Sequence, residues 1–419
     1  MLDLVLKNVT LPEGIVHDVA IHEGRVHHIG AGEHTHECID CTRFFCLPGA
    51  VDMHVHMRGG REGHKEDWKT GSMSALAGGV TLVVDQPNSI PPLISRTRFI
   101  ERVREASKDS YCHFAINGGV QEGADIAGLW DAGAMAFGEI FLAVSTHGSM
   151  LSMDRLMKQV TTVSHLGALC TLHVEEFLGK SPRTLEEHDR SRSTAGEAAM
   201  VEKVLARAPE HPPLHFCHLS SPEAVDAATT TFEVAPHHLI LSLEDFNSTD
   251  ARGKVNPPLR TDHVRRALLS RWNRIDVLAS DHAPHTLEEK EHPFSRAPAG
   301  LPGVETMIPL LLTAVLEKKI TLTSLIEKTS LAPSRILGTP PRGFSPGCSA
   351  DFALFPRKKT RVAAEMLHSR SGWTPYEGRE AIFPEYVIMD GVCVYRSGEF
   401  LERRGRWLHG RGYIPSDPI

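Results

Sequence analysis

The sequence predicts an α/β protein whose main body is a (β/α)₈ TIM-type barrel, with a small β-sandwich module formed by the N- and C-terminal segments. Between residue 49 and about residue 340, short apolar runs alternate with longer patterns of helical period, which is typical of repeated βα units. At both ends of the chain, short alternating strand patterns are separated by turn residues instead. We therefore predict a barrel over residues 49–343 and one β module over residues 1–48 and 344–419.

Eight strands are predicted in the barrel segment, at 50–54, 80–85, 113–118, 134–141, 168–173, 214–217, 232–235 and 275–280. Helices are predicted between and after them, at 67–77, 97–106, 154–165, 195–208, 222–229, 262–272, 304–317 and 322–328. The flanking strands are predicted at 2–9, 15–21, 25–29, 351–355, 387–389 and 392–395. Strands that alternate with helices in this way favour a parallel sheet closed on itself.

The composition excludes several classes of protein. Hydrophobic residues make up 41% and charged residues 23% of the chain, values typical of globular rather than disordered or membrane proteins. The net charge of -7 and the absence of a basic run argue against a nucleic-acid partner. No apolar stretch reaches the roughly 18 residues of a membrane span, and the N-terminus lacks the pattern of a secretory signal. We therefore expect a globular protein of the cytoplasm.

Eight cysteines are scattered along the chain, which is typical of reduced thiols rather than of a disulfide framework. Cys38 and Cys41 have the CxxC spacing of some zinc sites, and Cys46 lies nearby. Because no second CxxC pair or HxxxH partner follows, half-buried thiols are the favoured interpretation and a small zinc site is the alternative.

Six potential metal ligands fall at or just beyond the C-terminal ends of predicted strands. His54 and His56 end the first strand, and alternation along a strand sends such side chains to one face. The other four hold equivalent positions on later strands, namely Glu139, His173, His218 and Asp281. Taken singly, a chance HxH on a half-exposed strand is the alternative for His54 and His56, and a buried core histidine is the alternative for His173 and His218. Because the C-terminal strand ends form one rim of a barrel, the set is expected to meet there and to suit one or two Zn²⁺ or similar ions, with the Glu139 carboxylate as a bridge.

Motifs along nearly the whole chain carry a resemblance to a known family. They are PGAVDMHVHMR at 48–58, EDWKTGSMSALAGGVTLVVDQPNS at 66–89, LHFCHLSS at 214–221, EVAPHHLIL at 233–241, KVNPPLR at 254–260, SDHAPHTLEEK at 280–290, LPGVETMIPLLLT at 301–313 and CSADFALF at 348–355. The most specific of them are SDHAPHTLEEK and KVNPPLR. With these motifs the chain resembles the dihydroorotase family and its relatives, the hydantoinases and allantoinases.

The resemblance implies a role for each matched residue. His54 and His56 look like ligands of a first metal ion. His173 and His218 look like ligands of a second ion. Asp281 is similar to a first-metal ligand that also serves as general base and acid. The family's substrate contacts correspond to Arg58, Asn88 and His285, which hold the substrate carboxylate, and to Asn256, which contacts the pyrimidine ring.

Glu139 departs from the pattern of many relatives, which carry at the aligned place a lysine whose carbamate bridges the metal ions. Other branches of the family place an aspartate there. A carboxylate supplies two oxygens without needing carbon dioxide, so the substitution is physically reasonable. It leaves the metal count and the bridging geometry open.

The resemblance implies a zinc-dependent cyclic amide hydrolase that interconverts N-carbamoyl-L-aspartate and L-dihydroorotate in de novo pyrimidine biosynthesis. A hydantoinase or allantoinase is one alternative, and it would need no Arg58 with Asn88 because its substrates lack a carboxylate. A catalytically silent homologue that serves as a structural partner of aspartate transcarbamoylase is another. The formation of a homo-oligomer is also open.

Other polar residues near the predicted rim receive structural interpretations. For His237 and His238, which follow the seventh strand, we predict packing and loop-fixing roles. For His64 and His147 we predict solvated loop positions. Residues 286–298, rich in Glu, Lys and Pro, are predicted to form an exposed loop near the site that can act as a lid.

Overall fold

The structure of the protein is a computed structural model that describes residues 2–32, 35, 37–141, 152–179, 181–208 and 213–415. The strands, in chain order, are β1 (Leu4–Thr10), β2 (Val16–His22), β3 (Arg25–Gly30), β4 (Cys38–Asp40), β5 (Phe44–Pro48), β6 (Ala50–Val55), β7 (Val80–Asp85), β8 (His113–Ile116), β9 (Phe137–Phe141), β10 (Cys170–His173), β11 (Leu214–Phe216), β12 (Thr231–Val234), β13 (Val277–Leu278), β14 (Phe352–Pro356), β15 (Thr360–Arg361), β16 (Glu380–Ala381), β17 (Tyr386–Met389), β18 (Val392–Arg396) and β19 (Glu399–Phe400).

The helices are α1 (Trp68–Ala77), α2 (Arg96–Asp109), α3 (Ile126–Asp131), α4 (Met153–His165), α5 (Leu185–Ser191), α6 (Thr194–Arg207), α7 (Pro222–Ala227), α8 (Pro236–Ile240), α9 (Asp262–Leu269), α10 (Leu287–Lys290), α11 (Met307–Leu316), α12 (Leu322–Ile326) and α13 (Ala332–Leu337). Each of the eight predicted helices corresponds to one of these. The helices that the sequence did not predict, α3, α5, α8, α10 and α13, have four to seven residues. So short a segment shows too little of the 3.6-residue period to be recognised.

Each of the eight strands predicted for residues 49–343 is present, and their neighbours pair in parallel. β6, β7 and β8 form one sheet, and β9 to β13 form a second sheet in chain order. Isolated bridges join the edges of the two sheets, from Gly118 to Phe137 and from Val55 to His282. All eight C-terminal strand ends therefore lie on one side of the molecule.

Apolar residues at alternate strand positions build part of the core between these strands. Val51 and Met53 of β6 pack in one buried cluster with Leu82 and Val84 of β7. Alternate residues of a strand share a face, so this cluster lies on one face of the sheet. A larger buried cluster lies between the strands and the helices around them, with Leu76 of α1 among its members.

The two ends of the chain share one antiparallel sheet, which packs against a second sheet of N-terminal strands. β5 from the N-terminal segment pairs with β14 from the C-terminal segment, in the sheet of order β19-β18-β17-β14-β5. The other sheet has the order β3-β2-β1-β4. Leu6 and Ile21 of this sheet share one buried cluster with Phe352 and Ile388 of the former. The N- and C-terminal segments therefore share both hydrogen bonds and core.

A buried arginine ties these end sheets to the parallel strands. Arg342 Nη1 donates to the Gly49 carbonyl at 2.8 Å and to Thr81 Oγ1 at 2.6 Å. Its Nη2 lies 3.2 Å from Asp351 Oδ2, and both side chains are buried. One guanidinium thus connects the start of β6, the strand β7 and the residue that precedes β14. Within the described ranges, no helix combines the length and apolar content that a bilayer span requires.

We predict that Arg342→Met lowers the free energy of unfolding by about 3–5 kcal/mol, because removing one partner of a buried ion pair leaves the Asp351 charge without compensation. Chemical denaturation measures the change. Arg335→Met is the matched control, since its ion pair with Glu327 is at the surface and such pairs contribute about 0–1 kcal/mol. Equal losses in the two variants would contradict the role given to Arg342.

Candidate metal centre and substrate pocket

The six predicted metal ligands converge on one buried point, with the Glu139 carboxylate at its centre. Glu139 Oε1 lies 2.7 Å from His173 Nδ1 and 2.8 Å from His218 Nε2. Glu139 Oε2 lies 3.5 Å from His54 Nε2 and 4.0 Å from His56 Nε2. The two oxygens therefore face two different pairs of imidazoles.

Asp281 completes one of the two groups. Its Oδ1 lies 3.5 Å from His56 Nε2 and 3.7 Å from His54 Nε2. The donor atoms fall into overlapping sets of three whose members lie within 4.8 Å of one another, and Glu139 belongs both to a set with His54 and to a set with His173. The arrangement offers two adjacent positions for a cation that share one carboxylate.

In His54, His56 and His173, the ring nitrogen that points away from the centre is held by another side chain. His54 Nδ1 lies 2.6 Å from Glu233 Oε1, and His173 Nε2 lies 2.7 Å from Glu175 Oε1. His56 Nδ1 lies 2.9 Å from Asn88 Oδ1. A hydrogen bond at one ring nitrogen fixes the orientation of the imidazole and leaves the other nitrogen free to bind a metal ion.

Sequence reasoning gave no role to Glu233 or Glu175. Glu175 follows His173 by two residues, a spacing that could have suggested it, whereas Glu233 stands on another strand and has no sequence signal that links it to His54. Burial by itself raises the pKa of Glu175, but the charges of His173 and of Arg192, which donates to its carboxylate, lower that pKa to about 2. Glu175 is therefore an anion around neutral pH.

The residues present fit a divalent cation. His54 Nε2 is buried, points at two carboxylates and makes no hydrogen bond within the described part of the chain. An unpaired buried polar atom is costly unless a further partner supplies the missing contact. Four imidazoles with two carboxylates are donors that suit Zn²⁺ and related borderline ions.

The backbone around the site adopts conformations that are uncommon for residues with a side chain. Arg58, His218 and Asp281 have φ angles of 47°, 32° and 47°. Such conformations typically cost about 1–3 kcal/mol each and persist where the surroundings determine them. Gly138 has φ 129°, and a Cβ there would lie 2.2 Å from the Thr171 carbonyl oxygen. Only glycine therefore allows the backbone next to Glu139 to pack this closely against Thr171.

A cavity opens beside this cluster, and all four predicted substrate contacts line it. They are Arg58, Asn88, Asn256 and His285. The Arg58 side chain is buried, and its Nε makes no hydrogen bond in the described structure. The cavity thus combines a buried positive charge with the carboxylates and imidazoles of the metal cluster.

The loop that carries Arg58 is held by a buried ion pair that the sequence analysis missed. Asp85 Oδ1 accepts from the backbone N–H of Met57 at 2.8 Å. Asp85 Oδ2 accepts from Arg102 Nε at 2.9 Å and Nη2 at 2.7 Å. Two charge-assisted hydrogen bonds from one guanidinium are strong and directional. This contact anchors the backbone one residue before Arg58.

His285 contributes to the pocket as a neutral group. Burial and the nearby charge of Arg58 lower the pKa of His285 to about 3, although Glu289 acts in the opposite direction. Its Nε2 lies 3.1 Å from the Ala299 carbonyl oxygen and 3.5 Å from Arg58 Nη2. At neutral pH the positive charge for a bound carboxylate must therefore come from Arg58.

Comparison with known proteins places the chain in a family, although no family model matches it. It is 37% identical to the dihydroorotase of Methanosarcina acetivorans over an alignment of 430 positions, which covers 94% of this chain and 92% of that protein. It is 36% identical to the dihydroorotase of Halobacterium salinarum over 405 residues, which cover 93% and 96%. The chain belongs to the dihydroorotase family. The resemblance inferred from the sequence motifs is thereby confirmed.

Solved structures of related enzymes share the fold of this dihydroorotase family member. The L-hydantoinase (dihydropyrimidinase) of Arthrobacter aurescens superposes with a TM-score of 0.88 at 24% identity, over 98% of this chain and 100% of the other. The D-hydantoinase (dihydropyrimidinase) of a Thermus species gives a TM-score of 0.86 at 21% identity, over 98% and 99%. These similarities concern the fold alone.

The remaining polar residues singled out in the sequence lie apart from the centre or support its loops. Cys38 is exposed and Cys41 is buried, and neither belongs to a cluster of three metal donors among the described residues. His238 Nε2 donates to the Pro257 carbonyl at 3.0 Å, a loop-fixing contact as predicted. His64 is more than half exposed. His147 lies outside the described residues.

We predict that Glu233→Gln weakens metal binding by this dihydroorotase family member about ten-fold to a hundred-fold, the effect typical of losing a carboxylate that orients a ligand histidine. Competition with a chromophoric chelator measures the affinity. Glu202→Gln, an exposed position on α6, is the matched control. An unchanged affinity in Glu233→Gln would show that the contact with His54 is only structural.

Proposed function

We propose that the chain is a dihydroorotase, which opens the ring of L-dihydroorotate to N-carbamoyl-L-aspartate and catalyses the reverse cyclisation. The observation that carries the proposal is the buried Arg58 guanidinium in the same cavity as the converged metal donors. Dihydroorotate bears a carboxylate, and a guanidinium recognises a carboxylate through two parallel hydrogen bonds. Relatives named dihydroorotase at 36–37% identity support the same substrate.

The proposed metal ligands divide into two sets that share Glu139. His54, His56 and Asp281 would hold one Zn²⁺, and His173 and His218 would hold a second. A bound Zn²⁺ lowers the pKa of a coordinated water towards about 7 and polarises a carbonyl oxygen. Glu139, with one oxygen toward each pair of imidazoles, is proposed to bridge the ions in place of the carboxylated lysine of many relatives.

Asp281 is the proposed general base and acid. It lines the cavity, and its Oδ1 lies 3.5 Å from His56 Nε2. In ring opening it accepts a proton from the attacking water as the new C–O bond forms at the amide carbonyl. It then returns the proton to the ring nitrogen as the C–N bond breaks. Cyclisation uses the same groups in reverse, so it begins with Asp281 protonated.

The substrate contacts are complementary in hydrogen-bonding character. Arg58 supplies the charge for the substrate carboxylate. The Asn88 amide oxygen is engaged by His56, which leaves the amide N–H groups of Asn88 to donate. Asn256 Oδ1 is buried and has no hydrogen-bond partner in the described structure, so it can accept from a ring N–H of the substrate. These properties favour an anionic cyclic ureide.

A hydantoinase or allantoinase is the second candidate, favoured by the fold shared with the hydantoinases. Hydantoin and allantoin have no carboxylate to pair with Arg58. An unpaired buried guanidinium is costly, so this pocket should reject them. Turnover of dihydroorotate, hydantoin and allantoin by the same zinc-loaded preparation decides between the candidates. A zinc-loaded protein without turnover of any of them would support the silent homologue.

We also propose the architecture that the sequence analysis predicted. The bridges from Gly118, just after β8, to β9 and from His282, after β13, to β6 support a single closed (β/α)₈ barrel over residues 49–343. The antiparallel pairing of β5 with β14 supports a module formed by residues 1–48 and 344–419. Self-association and association with aspartate transcarbamoylase are hypotheses that sedimentation of the purified chain, alone and with that enzyme, would test.

We predict that Arg58→Met raises the KM for dihydroorotate about ten-fold to a hundred-fold, because a charge-assisted hydrogen-bonded pair is worth about 1.5–3 kcal/mol. Steady-state kinetics in both directions measure the effect. Arg61→Met is the matched control, since Arg61 is exposed and follows in the same loop. An unchanged KM in Arg58→Met would remove the argument for an anionic substrate.

We predict that removing the metal with a chelator abolishes turnover and that added Zn²⁺ restores it, because water alone is a poor nucleophile. Elemental analysis of the active protein is expected to give two ions per chain and fewer for Glu139→Ala, while the exposed Glu202→Ala keeps both. Full turnover by metal-free protein would overturn the mechanism, and a content unaffected by Glu139→Ala would overturn the bridge.

A further inference from the structure

Two buried lysines near the substrate cavity bind backbone carbonyls. Lys290 Nζ donates to three carbonyl oxygens at 3.0 Å each, those of Lys254, Pro298 and Gly300. The Lys290 side chain also lies over the ring of Trp373, with Nζ 5.7 Å from the ring centroid. All three N–H donors of an ammonium group have an acceptor in this way, which indicates a specific set of hydrogen bonds rather than incidental burial of the side chain.

Lys254 makes a second contact of the same kind. Its Nζ donates to the carbonyls of Phe294 at 2.7 Å and Ala297 at 2.6 Å. Nζ lies 5.0 Å from the centroid of the Phe294 ring. In the described part of the chain, neither lysine has a carboxylate oxygen within 4.0 Å of its Nζ. Carbonyl oxygens, rather than carboxylates, are therefore the hydrogen-bond partners of both amino groups.

These contacts determine the path of residues 297–300, which have no helix or strand. The four consecutive carbonyls from Ala297 to Gly300 accept hydrogen bonds in turn from Lys254, Lys290, His285 and Lys290. Backbone groups that are shielded from water need such partners. Here buried side chains replace the hydrogen bonds that a regular element would provide.

The same segment forms one wall of the substrate cavity. Ala299 and Gly300 line it, together with Val255 and Asn256, which follow Lys254. Lys290 bonds to the carbonyls of both Lys254 and Gly300, and the Gly300 N–H donates to the Lys254 carbonyl at 3.0 Å. The two parts of the wall are therefore connected through one ammonium group.

We propose that Lys290 and Lys254 are positioning residues for substrate binding, which hold the wall formed by residues 255–256 and 299–300 against the bound cyclic ureide. The inference rests on the proposed function, because it names the residues that shape that same pocket. Neither lysine lines the cavity, so they act through Asn256, Ala299 and Gly300 rather than on the reacting atoms. None of the six metal donors belongs to the segments that this contact holds.

The test is Lys290→Met, which keeps the length and apolar stem of the side chain and removes its three donors. We expect the KM for dihydroorotate to rise about ten-fold to a hundred-fold, because misplacing a binding group by about 1 Å has effects of this order. The kcat and the zinc content should stay close to those of the unaltered protein. Hydrogen exchange of the peptide that contains residues 294–300 should become faster.

Lys319→Met is the matched control, since this lysine is 70% exposed and pairs only with Glu317 among the described residues. Lys254→Met should change KM in the same direction, and it decides the question if Lys290→Met does not fold. A lower melting temperature with unchanged KM would overturn the inference, since it would show a purely structural role. Absence of dihydroorotate turnover in the unaltered zinc-loaded protein would instead overturn the proposed function.

Discussion

The Glu139 carboxylate, buried between two pairs of imidazoles, is the contact on which the site depends. A buried charge is tolerated only when hydrogen bonds and opposite charges surround it. His173 and His218 meet one oxygen, and His54 and His56 face the other. Because the five side chains come from four separate strand ends, a shift of any one strand would remove a partner from the buried Glu139 carboxylate. The carboxylate thereby couples the register of the sheets to the geometry of the candidate metal centre.

Much of the fold and of the ligand set could be predicted from the sequence because both follow from strand ends. The bounds of β7 are those predicted, and the two residues of β13 are the interior of a longer predicted run. An apolar run shows where a strand passes through the core, but it does not show where its ladder of hydrogen bonds begins and ends. The convergence of the candidate ligands could be predicted because the C-terminal ends of parallel strands meet on one rim.

The contact that orients His54 and the anchor of the Arg58 loop could not be predicted, because both join residues whose proximity exists only in the folded chain. Glu233 reaches His54 across 179 positions of sequence, and Asp85 anchors the loop of Arg58 through Met57. The lid predicted at residues 286–298 shows the same limit. Its composition is that of a solvated loop, but Lys290 and Phe294 within it are buried. Composition reports average solvation, whereas a single buried lysine decides how a segment is anchored.

These features together indicate a site that is organised before the substrate arrives. Arg58, His218 and Asp281 are held at positive φ by the surrounding contacts, and strain of this kind is retained only where packing overdetermines it. Elsewhere along the cavity, Lys254, Lys290 and His285 hold the carbonyls of residues 297–300. Fixed dipoles and charges stabilise a developing charge without having to reorganise during the reaction. The chemistry proposed for this pocket therefore uses charges and dipoles that the folded chain already holds in place.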